Sequence, residues 1–164
     1  MKSPLVNPCS VPCQAVFLHP DRLFSCIFYP MLKDIPVKEV KDVAIAILPQ
    51  LIDSEAPTWE VYLINLKNKP ITNVLISSKG YGELDGEETR TSTLRHFFDQ
   101  VEPFSYRKVE HIQTKVFPLH NEFLLSFTHD NHLFDKKYTF VGGSIREDNF
   151  TDVPLLNRRG VMIE

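Results

Sequence analysis

The sequence contains few of the features that identify a function. Its 164 residues include only six glycines, one tryptophan and three cysteines. No apolar run approaches the roughly 20 residues of a membrane-spanning helix, and we find no catalytic motif or cofactor fingerprint. The formal net charge of -3 shows no basic surplus, which argues against a nucleic-acid partner. These absences favour a domain that binds another protein, with no membrane and no cofactor involved.

The cysteines indicate a reducing compartment. Cys9, Cys13 and Cys26 all lie near the N-terminus, whereas a disulfide scaffold would distribute its cysteines through the fold. The spacing between Cys9 and Cys13 lacks the second ligand pair that a zinc site needs. Prolines interrupt any apolar core of a signal peptide in the same region. We therefore expect reduced thiols and a cytoplasmic protein.

Residues 1–30 differ in composition from the rest of the chain. They hold five of the twelve prolines and only three charged side chains, and no helical or strand period persists through them. Two interpretations stay open: an irregular N-terminal arm, or a mis-assigned start with the true one at Met31, which we favour. We predict a β-sandwich domain over residues 31–145 and a C-terminal tail over residues 146–164.

Two segments are apolar on both faces, which is typical of buried strands. They are residues 43–48 and 59–66, and the second should bury Trp59 as an anchor of the core. The second segment and residues 71–78 flank an Asn-Lys-Pro turn and predict a hairpin. Residues 122–128 and 133–141 predict another hairpin.

The spacing of these strands predicts an all-β, mostly antiparallel fold. Six or seven strands joined by turns favour an immunoglobulin-like β-sandwich, with a small β-barrel as the alternative. Residues 91–101 are ambiguous, because apolar residues at helical spacing occur among threonines that favour a strand. We predict a strand there that runs into a short irregular or helical turn.

A candidate binding loop lies between residues 79 and 88. Asp85 and Gly86 form a strong hairpin-turn signal, and Gly80 and Gly82 permit a bulge before it. Tyr81 would then project outward as a rigid aromatic anchor, and the neighbouring acids would favour a basic partner. The alternative is a solvated turn in which Tyr81 folds back over the edge of the sheet.

Two further pairs of polar residues are candidate sites. Arg95 and His96 could bind an anion or transfer a proton, although two exposed strand residues explain them as well. His129 and His132 face each other across a two-residue turn, but a metal site needs a third and fourth ligand. We predict no metal there and no catalytic residue in the chain.

Several segments together resemble a family of small uncharacterised bacterial proteins over roughly residues 32–145. These segments are Trp59–Asn65, Ser77–Gly86, Thr91–Phe97 and Asp135–Phe140. Some members carry an automatic label of phenylalanyl-tRNA synthetase subunit. The resemblance thus implies, as an alternative function, an accessory fragment associated with an aminoacyl-tRNA synthetase or with the translation machinery. The arginine motifs of a class II synthetase are absent here, so a non-enzymatic interaction or adaptor module is the leading hypothesis.

Overall fold

The computed structural model describes residues 39–50, 58–84 and 86–164, and these residues form ten antiparallel strands. The strands are β1 (Val43–Pro49), β2 (Thr58–Asn65), β3 (Ile71–Leu84), β4 (Glu87–Arg90), β5 (Leu94–Val101), β6 (Ser105–Gln113), β7 (His120–His129), β8 (His132–Phe140), β9 (Thr151–Val153) and β10 (Arg158–Ile163). Short 3-10 helices span Thr114–Val116 and Glu147–Asn149. No helix in the described ranges has the length and apolar character needed to cross a membrane.

The strands form two sheets that pack face to face. The first sheet has the order β6-β2-β1-β10-β9, and the second runs from β3 through β7 to β8. The free edge of β3 is covered by two strands in succession, β5 along its first half and β4 along its second. The all-β sandwich is confirmed, and the sheets do not close into a barrel within the described residues.

The core lies between the inner faces of the two sheets. Alternate residues of β1 and β2 contribute Ile45, Ile47 and Leu63, which are fully buried against the large side chains of β3, β7 and β8. The intervening residues of β1 and β2 are also buried, in a second and smaller apolar cluster on the other face of the first sheet. That cluster consists of Ala44, Ala46, Leu48, Tyr62, Ile64 and Val153. The two-faced apolar pattern of residues 43–48 and 59–66 is therefore confirmed.

The C-terminal residues belong to the first sheet. Residues 146–164, predicted as a tail, contain β9 and β10, and β10 pairs with β1 so that Ile163 lies opposite Ile45. Gly160 makes this pairing possible, because a Cβ atom there would lie 2.6 Å from the carbonyl oxygen of Ile47. Placing these residues outside the sandwich was wrong: an apolar run this short gains its stability from a partner strand over 100 residues earlier.

Two predictions about single segments had different outcomes. Leu94 to Val101 form β5, so the strand assignment in the ambiguous segment is confirmed. Trp59 packs against the main core cluster but is only partly buried, so it is less buried than predicted. Its ring packs edge-on against Phe117 and Phe150, at centroid distances of 5.0 and 5.6 Å. Both phenylalanines follow 3-10 helices in connections, so Trp59 anchors the connections at the end of the sandwich.

A buried asparagine joins two places where the chain passes between the sheets. Asn65, which has no exposed surface, ends β2 and precedes the turn into β3. Its side-chain nitrogen lies 3.1 Å from the carbonyl oxygen of Lys69 in that turn. The same nitrogen lies 3.2 and 2.9 Å from the carbonyl oxygens of Val101 and Glu102, where β5 leads into β6. One amide thus supplies donors to backbone acceptors of both connections.

We expect Asn65→Ala to lower the free energy of unfolding by about 2–4 kcal/mol, because it removes the two amide hydrogens that three carbonyl groups share. Urea denaturation followed by circular dichroism measures the change. Asn68→Ala is the control, since Asn68 is exposed in the same turn and should cost no more than about 0.5 kcal/mol. A cost below about 1 kcal/mol for Asn65→Ala would show that the amide does not hold the connections.

Candidate functional site

The segment predicted as a projecting binding loop is mostly strand. β3 continues without interruption to Leu84, and Tyr81 pairs with Arg90 on one side and with His120 on the other. The Tyr81 ring lies 5.4 Å from that of His120, and its hydroxyl donates a hydrogen bond to Glu122 at 3.4 Å. Tyr81 therefore lies against the surface of the second sheet. This agrees with the alternative prediction, in which Tyr81 folds back over the sheet and does not project outward. Asp85 falls outside the described residues.

The glycines of this segment allow two stretches of chain to approach closely. A Cβ atom on Gly80 would lie 3.0 Å from the methyl carbon of Thr91. The backbone nitrogen of Gly80 donates to the Thr91 hydroxyl at 2.7 Å, and the Thr91 nitrogen donates back to the Gly80 carbonyl oxygen at 2.9 Å. Gly82 has a φ of +150° at the start of the pairing with β4. Gly80 thus lets the link between β4 and β5 lie directly against β3.

Arg95 and His96 point to opposite faces of β5. Arg95 is exposed on the outer face of the second sheet. His96 points toward the first sheet, where its Nε2 atom lies 2.8 Å from the Oε2 atom of Glu110 on β6. The Ser78 hydroxyl donates to the same oxygen at 3.0 Å. We call Ser78, His96 and Glu110 the inter-sheet bridge.

The order of groups in the inter-sheet bridge excludes a serine nucleophile of the usual kind. In a hydrolase triad the imidazole stands between the carboxylate and the serine, so that it can take the hydroxyl proton. Here the carboxylate of Glu110 stands in the middle and accepts from both neighbours. Because its partner is a carboxylate, the Nε2 atom of His96 carries the proton. The bridge is suited to binding a further donor and not to nucleophilic attack.

A cleft of about 210 Å³ opens beside the inter-sheet bridge. It lies where β4 and β5 separate along the edge of β3, and the link between them forms one wall. Ser78, Gly80 and Glu110 line it, with Phe123 as part of its apolar floor. Glu110 was not identified from the sequence, because a single acid in a polar strand has no signal that separates it from a solvated residue.

A group of exposed apolar side chains lies on the outer face of the second sheet. Leu75, Phe97 and Leu124 are 42%, 59% and 46% exposed. Leu75 and Phe97 lie directly opposite each other on β3 and β5, and Leu124 follows on β7, diagonally across from Leu75. We call these three residues the outer patch. The outer patch was not predicted, because the apolar residues at 94–101 also fit a helix. Only the alternation of a strand places Phe97 on the exposed face of β5.

Charged residues surround the outer patch. Arg95 precedes Phe97 on the same face of β5, and no described residue forms an ion pair with it. Lys137 pairs with Leu124 across β7 and β8. Glu122 lies between Lys79 at 3.0 Å and Lys137 at 3.7 Å. The hydrogen bond from Lys79 lowers the pKa of the Glu122 carboxyl, against the opposing effect of partial burial.

The two histidines weighed as metal ligands occupy the tip of the β7–β8 hairpin. His129 Nδ1 lies 3.2 Å from the carbonyl oxygen of Pro70, and His132 Nδ1 lies 2.7 Å from that of Asp130. Their rings are thus oriented by separate backbone groups. Across the described ranges, no cluster of three or more side chains of metal-binding type occurs.

No protein-family model matches the sequence, and neither does any curated protein. The resemblance to the uncharacterised bacterial family stays a prediction. Binding of a partner by Gly80, Tyr81, Gly82, Arg95 and His96 also stays a prediction.

The Glu122 ion pairs should make part of the stability depend on pH. A folded-state pKa below the unfolded value of about 4.3 means that this contribution is complete above that pH and is lost as the pH falls through the folded value. Glu122→Gln should therefore destabilise at about pH 7 and differ little from wild type at about pH 3. Urea denaturation at both pH values measures this. Glu83→Gln, an exposed position on the same strand, controls for the loss of charge; equal destabilisation by Glu122→Gln at both pH values would contradict the prediction.

Proposed function

We propose that the chain is a non-enzymatic interaction module, an immunoglobulin-like domain of the bacterial cytoplasm, whose outer patch binds a segment of another protein. The compartment and source rest on the cysteine distribution and on the family resemblance. The binding surface rests on one observation: Leu75, Phe97 and Leu124 are neighbours on a sheet face and are all about half exposed.

The composition of the outer patch supports a protein partner. Interfaces typically have an apolar centre with aromatic residues and a polar rim, and Phe97 has that central position next to Leu75. Arg95 and Lys137 provide the rim on two sides. Single exposed apolar residues are common and need no explanation, whereas a contiguous group indicates a binding site.

The charges on the rim of the outer patch are of both signs. Lys79 and Lys137 share one carboxylate, that of Glu122, and Arg95 has no ionic partner among the described residues. Asp99, two residues after Phe97 on β5, and Asp135, which pairs with Ser126 beside Leu75, lie on the same face, so the charges around the outer patch balance. We propose an occupant with aromatic or aliphatic side chains flanked by an aspartate or glutamate that pairs with Arg95, the cation next to Phe97. This differs from the basic partner expected for a projecting Tyr81 loop.

The alternative drawn from the resemblance, an accessory fragment of the translation machinery, has no specific contact of the described residues in its favour. It would become relevant if the partner proved to be a synthetase subunit or tRNA. The same experiment therefore serves both hypotheses.

Selection from a displayed peptide library, with the full chain as bait, tests the proposal. We expect enriched peptides to combine apolar residues with acidic flanks. Phe97→Ser should weaken their binding at least about tenfold, because an aromatic at the centre of an interface contributes most of its energy. Arg95→Glu should weaken the acidic peptides and reduce the salt dependence of binding. Isothermal titration calorimetry measures both effects.

Phe104→Ser provides a matched control, since Phe104 is 60% exposed in the turn between β5 and β6, against 59% for Phe97. It should leave peptide affinity unchanged. Peptides that bind wild type and Phe97→Ser equally would overturn the proposal. So would a concentration-dependent dimer that Phe97→Ser dissolves, because the occupant would then be a second copy of the chain.

A further inference from the structure

The carboxylate of Glu110 has capacity for another hydrogen bond. Both described donors, Ser78 and His96, approach its Oε2 atom, and no described residue donates to Oε1. A carboxylate accepts about four hydrogen bonds when its surroundings provide them. The side chain is only 10% exposed, and that small accessible part faces the cleft. The Oε1 atom of Glu110 can therefore accept a hydrogen bond from a ligand in the cleft.

The walls of the cleft determine the size and polarity of an occupant. Its floor includes Phe123 and Ile112, which are 1% and 7% exposed, and Leu94 lies half exposed at its entrance. The volume of about 210 Å³ is below the roughly 300–1,000 Å³ of cavities that hold drug-sized molecules. The cleft therefore suits a compact apolar body of side-chain size.

The charge of the residues that line the cleft determines which charged group a ligand must carry. A partly desolvated carboxylate repels anions and favours a donor that carries positive charge. Lys115 and His111 lie exposed at the cleft mouth, where water and salt screen them. The Lys79 ammonium is already bound to Glu122 on the other face of β3. Glu110 is accordingly the least screened charged group that lines the cleft.

We infer that the cleft binds an ammonium or guanidinium group attached to a short apolar body, with the nitrogen on Glu110 Oε1 and the apolar part on Phe123 and Ile112. The same chemistry occurs in a free small amine and in a lysine or arginine side chain of a bound peptide. This site is separate from the outer patch, because alternate residues of β3 and β5 face opposite sides of the second sheet.

Titration of the isotopically labelled full chain by NMR tests the inference with three probes. Benzylammonium represents a free amine, an N-acetylated tripeptide with a central lysine represents a side chain, and benzyl alcohol is the uncharged control. We expect saturable shifts at the amides of Ser78, Leu94 and Glu110 with dissociation constants of order 1 mM for the charged probes. Benzyl alcohol should bind at least about tenfold more weakly. The tighter of the two charged probes identifies the source of the ligand.

Two variants make the outcome decisive. Glu110→Gln keeps an acceptor for Ser78 and His96 but turns an amide donor toward the cleft, so it should weaken the charged probes at least about tenfold. Leu94→Trp fills the entrance from a half-exposed position and should block binding without removing the charge. If Glu110→Gln fails to fold, Leu94→Trp decides. Unchanged affinity in either folded variant, or no saturable shift with either charged probe, would overturn the inference.

Discussion

The side-chain amide of Asn65 is the interaction on which the arrangement of the two sheets depends. Apolar packing between inner faces is strong but non-directional, so it does not by itself fix how far one sheet slides along the other. Asn65, at the end of β2 in the first sheet, donates to Val101 in β5 of the second sheet and to Glu102 in the following connection, and its own oxygen accepts from the Lys67 backbone. A buried polar group that is fully satisfied in only one arrangement specifies that arrangement.

Other buried polar groups extend this control along the interface. Tyr138 on β8 donates to the carbonyl oxygen of Val43 at 2.7 Å, and burial raises the pKa of its hydroxyl, so it stays a donor. Asn121 donates to Val116 and Leu119 in the connection between β6 and β7. Glu110 reaches across from β6 to β3 and β5. The site residues thus also contribute to positioning the sheets.

The sequence was sufficient to predict the elements whose stabilising contacts are local. The two-faced apolar pattern of β1 and β2 and the hairpin of β7 and β8 are confirmed. The hairpin predicted from residues 59–66 and 71–78 was wrong, because β2 and β3 belong to different sheets and the turn between them carries the chain from one sheet to the other. The sequence did not predict contacts between residues far apart in the chain. The strand β10 forms by pairing with β1, and Trp59 packs against phenylalanines from two separate connections. A projecting loop was predicted at Tyr81 because glycines favour loops. In the structure, Gly80 lies in a strand, and its missing side chain leaves room for Thr91. The inter-sheet bridge depends on the packing of both sheets, which no local pattern encodes.

The division of one edge between β4 and β5 has a consequence for self-association. A long, flat edge strand exposes a continuous row of backbone donors and acceptors, on which another chain can add strands and begin a fibril. Here β4 has four residues and β5 has eight, and residues 91–93 depart from strand geometry between them. An added strand would lose its register at this break. Gly80 and Thr91 therefore limit amyloid-like growth from the edge that lies nearest to the exposed Phe97.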